Sequence, residues 1–353
     1  MSRAGGSGPI LVWGAGAIGG TVGAYLRRAG HELVFVDIDG DHVSALNERG
    51  LAIEGPIDSF TVAARAFTPA TIVGRFERIL LCVKAHHTAG AIAAAAPHLA
   101  PDGYVVSLQN GLNEQVIAAA VGSQRTIGAF VNFGADYLAP GRIHFGGRGA
   151  FVLGELDGAT TPRLEALAQM LRAGFEPSLI ITGNIWGYLW GKLGYGALLF
   201  ATALTDASIV EVLDSAAYRP LLSALGEEVT EVTYAAGIAP EGFNGFDPAA
   251  FRPGGDPAAR DRSFAAMVAH NRGSAKSHSG IWRDLAVRKR RTEVDAQLGP
   301  VVEAAGRLGR AVPITRALIA LIHDIEAGRR ALAWSTLDRL AEQAGLAHMK
   351  DAV

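Results

Sequence analysis

The stretch ILVWGAGAIGGTVGAYLRRAG, residues 10–30, constrains this chain more than any other segment. An apolar run suited to a buried strand stops at Gly14, and a helical pattern takes over near Ile18. Between them Gly14, Gly16 and Gly19 form Gly-x-Gly-x-x-Gly. In a strand, turn and helix of this kind the first glycine permits the tight turn and the second lets a pyrophosphate reach the backbone. The third lets the helix pack closely on the strand. The helix N-terminus adds partial positive charge where a phosphate would sit. No Lys-Ser or Lys-Thr pair follows the glycines, which argues against a nucleoside triphosphate loop. Gly14, Gly16, Ala17, Ile18 and Gly19 are therefore assigned to a dinucleotide cofactor.

The next strand-like run, HELVFVD, ends at Asp37, 18 positions after Gly19. At that spacing a carboxylate accepts hydrogen bonds from the adenosine ribose and repels a 2′-phosphate. No Arg or Lys lies between Asp37 and Arg49, so NAD is favoured, with NADP left open and a helix-capping role for Asp37 as the plain alternative. Strand-like and helix-like segments then alternate through RILLCVK and YVVSLQNG, as a parallel sheet covered by helices requires. RTIGAFVNFGAD, GRIHFGG and AFVLGELD are expected to extend or flank that sheet. From NIWGYLWGKLGYGALLF onward helical periodicity dominates. The expected fold is α/β: a Rossmann-type dinucleotide-binding domain over 1–183, followed by an all-helical domain over 184–353 that carries the substrate chemistry. APEGFNGFDPAAFRPGGDPAARD, rich in Pro, Gly and Asp, reads as a long loop or lid.

Composition narrows the function classes. Of 353 residues 49% are hydrophobic and 19% charged, which describes a folded globular protein with material for two cores. A formal net charge of -2, from 32 basic and 34 acidic residues, gives no pull toward nucleic acid or an anionic membrane. MSRAGGSGP lacks the apolar core of a secretion signal and reads as a loose tail. Leu193–Thr205 is too short to span a bilayer. The lone cysteine, Cys82, reads as a small buried hydrophobe. A soluble cytoplasmic protein is the expectation, with neither nucleic-acid nor membrane partner.

Gly14–Gly20, LLCVKAHHT, SLQNGLNE, YLAPGRIHFGGRG, IWGYLWGKL, TEVD and AVPITRALIALI follow one another at suitable separations. Taken together they resemble the ketopantoate reductase family, whose members reduce 2-oxo acids such as 2-dehydropantoate with a nicotinamide cofactor. The resemblance covers about residues 10–335. It implies that Lys192 in WGKL is the catalytic lysine, that Glu293 in TEVD holds substrate and orients that lysine, and that Asn110 in LQNG lies beside the nicotinamide. It also implies that Lys84 in CVKAHH approaches the cofactor, and that Ser279 and Asp284 meet the substrate. Ser277 and Gly280 compete for the serine's place, because the stretch from Asp284 to Glu293 is about one residue longer than usual. His86 and His87 have no companion cysteine or carboxylate cluster, so no metal is assigned. Family practice and the helical second domain allow a homodimer. The active site is expected in the cleft between the domains.

Two positions depart from the family pattern. Asparagines commonly follow the lysine at plus four and plus eight, where this chain has Gly196 and Phe200. Read as lining the substrate pocket, they replace two amides with a void and an aromatic wall. The expectation is an enzyme that keeps the ketone and secondary-alcohol chemistry but acts on a compound other than ketopantoate. A genuine 2-dehydropantoate 2-reductase, a β-hydroxy acid dehydrogenase related by fold and a non-catalytic redox sensor are the alternatives.

Overall fold

The computed structural model describes residues 8–273 and 277–346; the expected tail, up to residue 7, lies outside them. Two compact units are present, one running to Ile185 and the other from Trp186.

The first unit contains twelve strands among its described residues. They are β1 Ile10–Trp13, β2 Leu33–Val36, β3 Leu51–Glu54, β4 Phe60–Val62, β5 Ala66–Phe67 and β6 Phe76–Leu81. The rest are β7 Leu99–Ser107, β8 Thr126–Val131, β9 Gly134–Ala139, β10 Arg142–Gly147, β11 Phe151–Glu155 and β12 Ile180–Ile181. Its helices are α1 Ala17–Arg28, α2 Gly40–Arg49, α3 Thr88–Ala95, α4 Asn113–Val121 and α5 Pro162–Gly174. Eight strands form one sheet in the order β12-β11-β8-β7-β6-β1-β2-β5, and β4-β3-β10-β9 form a second. In the large sheet the run from β5 to β8 is parallel, and β11 is antiparallel to β8. The strand order reverses between β1 and β6, the point at which open parallel sheets bind ligands beyond their carboxyl ends.

Burial explains the central strands. Ile10, Leu11, Val12 and Trp13 are all buried, as in a strand covered on both faces. Each such side chain contributes roughly 1.5–3 kcal/mol when fully buried. Helix α1 packs against strands of both sheets, which explains its small residues: a Cβ on Gly23 would stand 2.5 Å from Phe35, and one on Gly20 2.2 Å from Ile143 of the second sheet. Of the segments expected to extend or flank the main sheet, β8 and β11 extend it, whereas β9 and β10 lie in the second sheet, β10 pairing with β9 and β3.

The regular elements among the described residues of the second unit are helices, apart from one bridge between Phe243 and Phe246. Its elements are α6 Ile185–Thr202, α7 Ile209–Asp214, α8 Arg219–Ala235, α9 Pro257–Arg272, the one-turn α10 Gly280–Trp282, α11 Val294–Arg307, α12 Pro313–Glu326 and α13 Trp334–Gln343. After α10 the chain continues as a π-turn over Arg283–Val287. A π-turn accommodates one extra residue within a helical path, which suits the longer stretch before Glu293. The segment read as a lid is packed down: Phe246 and Phe251 are buried, and Gly226 of α8 leaves room for the Phe251 ring.

Helix α12 begins at Pro313 with Val312 at its cap position, which has no capping oxygen. Glu228 of α8 supplies one, accepting hydrogen bonds from the Ile314 and Thr315 amides and the Thr315 hydroxyl at 2.8, 2.8 and 2.9 Å. Burial nonetheless pushes the Glu228 carboxyl above its usual range. Glu228→Ala leaves those donors without their acceptor, and a loss of about 1–3 kcal/mol is expected in denaturant or thermal unfolding.

Candidate active site

Strands β1, β6 and β7 end in one row, with Trp13 beside Leu81 and Leu81 beside Ser107. The segments that leave this edge carry the sequence candidates: Gly14–Gly19, Cys82–Lys84 and Leu108–Asn110. Gly14 has φ +99°, and a Cβ there would stand 2.9 Å from the backbone of Cys82 and Val83. Only glycine fits, because both the conformation and the space exclude a side chain. A Cβ on Gly19 would stand 2.1 Å from the Gly14 carbonyl and 2.8 Å from Cys82 Cβ, so the third glycine is a packing requirement. Gly16 differs, since a Cβ there would meet nothing within 4 Å. Gly16 also caps α1 without a side-chain acceptor, which leaves the first-turn N–H groups of Ala17 and Ile18 facing outward beside open space. These features fit a bound pyrophosphate.

Asp37 half-emerges at the end of β2. Its carboxylate accepts from the Ala15 amide at 2.8 Å and the Asp39 amide at 3.1 Å. The cap of α2 is Asp39, which accepts from the Asp41 and His42 amides, so Asp37 is not spent on capping. Tyr137 of β9 donates to Asp39 at 3.3 Å, and its phenol is pushed up to about 12 by burial and then by Asp39, Asp37 and Asp41. Three carboxylates thus crowd the end of β2. The buried His42 ring bridges Ala15 O at Nε2 (2.9 Å) and the Gly141 amide at Nδ1 (3.0 Å). The Gly141 donor makes Nδ1 an acceptor, so Nε2 carries the proton.

A directional chain of hydrogen bonds joins the segments after β6 and β7. Gln109 donates to the Val83 carbonyl (2.9 Å) and the Thr88 hydroxyl (2.8 Å). Thr88 donates to Asn113 Oδ1 (2.7 Å), and Asn113 donates to the Asn110 carbonyl (2.6 Å). Asn110 is held at a fixed height by its carbonyl, before Gly111 at φ +93°. Its own side-chain amide makes no hydrogen bond with the described residues. Lys84 is exposed at the start of the turn Ala85–His87. Burial pushes the Cys82 thiol up, which suits packing rather than reactivity. Sequence reasoning missed Thr88, Asn113 and His42; Gln109 lay in the quoted LQNG motif with no sign of its partners.

In the second unit Lys192 lies on α6, and the partly exposed positions Tyr188, Lys192, Gly196 and Leu199 follow helical spacing. Phe200, expected on that face, is instead fully buried. Eight residues at 3.6 per turn rotate it about 80° from Lys192, whereas four and seven residues stay within about 40°. Phe200 thus packs the helix into its unit and presents no surface to a ligand. Glu293 is buried at the entry to α11, and its neighbour Thr292 donates from both amide and hydroxyl to Glu326 of α12 at 2.7 Å. That clamp fixes where Glu293 leaves the backbone; neither Thr292 nor Glu326 was singled out from sequence. Ser279 is buried and caps α10, accepting from the Trp282 amide at 3.1 Å, whereas Ser277 is exposed and faces His278. Asp284 is buried, and its Oδ1 is taken by Arg288 (2.9 Å) and Arg290 (3.0 Å), so it secures the basic run ahead of Glu293.

Comparison with known proteins follows the same division. The model described as "Ketopantoate reductase PanE/ApbA" matches residues 10–158, and the one described as "Ketopantoate reductase PanE/ApbA C terminal" matches residues 184–326. The chain belongs to the ketopantoate reductase family. It is therefore a nicotinamide-dependent oxidoreductase acting on CH–OH groups. A 2-dehydropantoate 2-reductase of Archaeoglobus fulgidus is 28% identical over 90% of this chain and 98% of its own length. One from Mesorhizobium japonicum is 32% identical over 57% of this chain and 69% of its own length. The crystal structure of a PanE/ApbA family ketopantoate reductase from Ralstonia eutropha JMP134 superposes with a TM-score of 0.77 at 27% identity, over 91% of this chain and 99% of that one. The fold is shared as well by D-mandelate dehydrogenase, solved with NADH and anilino(oxo)acetate, with a TM-score of 0.79 at 19% identity and the same coverage. Among the described residues no helix is long and apolar enough to cross a membrane.

The open space at Gly16 gives a sharp test. Gly16→Ala should melt within about 1 kcal/mol of the parent, since the new Cβ meets nothing, yet it should weaken cofactor binding by roughly 10-fold or more. Calorimetric titration with NADH beside a thermal melt separates the two effects.

Proposed function

We propose that this enzyme interconverts a 2-oxo acid or related ketone with its secondary alcohol, uses NAD in preference to NADP, and works best on a substrate other than ketopantoate. The observation that carries the reading is the half-buried Lys192 on the only open stripe described along α6, with Glu293 buried at the head of α11 in the same unit. An ammonium in such a position stabilises the negative charge that develops on a ketone oxygen during reduction and then gives that oxygen a proton. In oxidation the neutral amine takes the proton back. The buried carboxylate of Glu293 favours the charged form of a nearby lysine and holds its direction. Asn110, with its side-chain amide uncommitted and its backbone fixed by the Gln109–Thr88–Asn113 chain, positions cofactor or substrate.

Gly14, Gly16, Ala17, Ile18 and Gly19 would hold the pyrophosphate, Asp37 the adenosine ribose, and Lys84 the segment nearer the reacting end. When bound, the nicotinamide supplies or accepts the hydride. The preference for NAD is supported by Asp37, Asp39 and Asp41 at the end of β2, where a 2′-phosphate would meet like charge. The preference against ketopantoate is supported by Gly196, which brings no amide to the stripe of α6 that carries Lys192. A lone cysteine suits the reducing cytoplasm in which such chemistry would run.

Initial rates with a panel of 2-oxo acids and secondary alcohols, read at the absorbance of the reduced nicotinamide, test the reaction. Lys192→Ala should lose turnover by roughly 100-fold or more while its affinity for cofactor stays unchanged; retained turnover would remove the lysine from the mechanism. At equal concentration NADH should raise the melting temperature more than NADPH, and the reverse order would overturn the role given to Asp37. Ketopantoate as the best substrate of the panel would overturn the specificity reading.

A further inference from the structure

Ala15 lies between Gly14 and Gly16, and both of its backbone polar groups are committed to side chains. Its N–H donates to Asp37 Oδ2 at 2.8 Å, and its C=O accepts from His42 Nε2 at 2.9 Å. Asp37 follows β2 and His42 belongs to the first turn of α2, so the two peptide planes that flank Ala15 are fixed from outside the loop. The His42 ring is fully buried, and the Gly141 amide holds its other nitrogen, donating to Nδ1 at 3.0 Å. The Ala15–Gly16 peptide is trans, so its C=O and N–H point in opposite directions. With the carbonyl drawn to His42, the Gly16 N–H is turned away from that ring. This N–H makes no hydrogen bond with the described residues, and a Cβ on Gly16 would meet nothing within 4 Å. Glycine offers little resistance to rotation of the peptide beside it, so the plane keeps its direction only through such an outside hold.

We propose that His42 is a positioning residue for the dinucleotide: by holding the Ala15 carbonyl it aims the Gly16 N–H at the pyrophosphate. This inference rests on the reading of Gly14–Gly19 as the cofactor loop. His42 touches no ligand and acts through the Ala15–Gly16 peptide. A loop ordered beforehand loses less conformational freedom when the ligand arrives, and binding is tighter by that difference. The effect runs in both directions. An amide that donates at its N–H is polarised and accepts more strongly at its C=O, so pyrophosphate on the Gly16 N–H tightens the bond from His42. Gly141, in the turn between β9 and β10, completes the device. Its N–H makes Nδ1 the acceptor, and the proton needed for Ala15 therefore resides on Nε2.

Two amide substitutions separate the two ends of the ring. His42→Gln puts an N–H donor near the place of Nε2 and keeps the bond to Ala15, whereas His42→Asn puts an oxygen near Nδ1, keeps the bond to Gly141 and falls short of Ala15. Each variant loses one buried hydrogen bond, so their melting temperatures should fall by similar amounts. Calorimetric titration with NADH should give a Kd within about 3-fold of wild type for His42→Gln and weaker by about 10-fold or more for His42→Asn. Equal losses of affinity in the two variants, or none in His42→Asn, would reduce His42 to a structural support and overturn the proposal. The wild-type enzyme supplies a readout that needs no variant. In NMR spectra of protein carrying isotope-labelled histidine, the slowly exchanging Nε2–H resonance of His42 should move downfield on saturation with NADH, and an unmoved resonance would equally overturn the role. Gly16→Ala keeps the two failures distinct. If it binds NADH as tightly as wild type, the cofactor loop itself is misassigned; if it binds weakly while His42→Asn binds normally, only the part given to His42 is lost.

Discussion

The tight backbone contact where the Gly14 turn meets the end of β6 is the constraint on which the first unit depends. With Gly14 at φ +99° and less than a side chain's distance from Cys82 and Val83, the turn can close only on bare backbone. Gly19 then lets α1 start against the same place, and α1 in turn spans from the main sheet to the smaller one through Gly20 and Gly23. A methyl group at Gly14 or Gly19 would strike backbone first, and one at Gly20 or Gly23 would strike the Ile143 or Phe35 side chain. Gly16 alone stands apart from this packing, and the contrast within one short loop separates what the fold needs from what a ligand needs.

The second unit solves a different problem, which is to hold charged groups at low exposure in fixed positions. Buried and half-buried carboxylates recur there as fasteners. Glu228 starts α12, Glu326 receives Thr292, and Asp284 gathers Arg288 and Arg290. Each satisfies several donors at once, as polar groups shielded from water require. The consequence for chemistry is that Glu293 departs from a segment tied at both ends. Its direction is set by the scaffold and not by a flexible loop.

Much of this was legible in the chain, and the reasons are physical. The glycine motif, the alternation of strand and helix, and the later helical periodicity depend on local sequence, and the fold class read from them holds. Strands β3 and β4 escaped notice because they are short and half-buried, with burial alternating in only four residues of β3. Whether each of the later strands extends or flanks the main sheet is not written in any local pattern, because β9 and β10 join a second sheet that packs on α1. Phe200 was misjudged by treating plus eight as equivalent to plus four on a helix of 3.6 residues per turn. Glu326 receives Thr292 from 34 residues away, so nothing near it announces its partner.

His42 links three pieces of the first unit: the loop at Ala15, helix α2 and the turn at Gly141. One ring nitrogen gives and the other receives, so the imidazole works as a strut between two backbone groups. Residues 15 and 141 are thereby mechanically joined across most of the unit's length. Sequence drift in the hairpin turn at Gly141 is consequently answerable to the glycine loop as well.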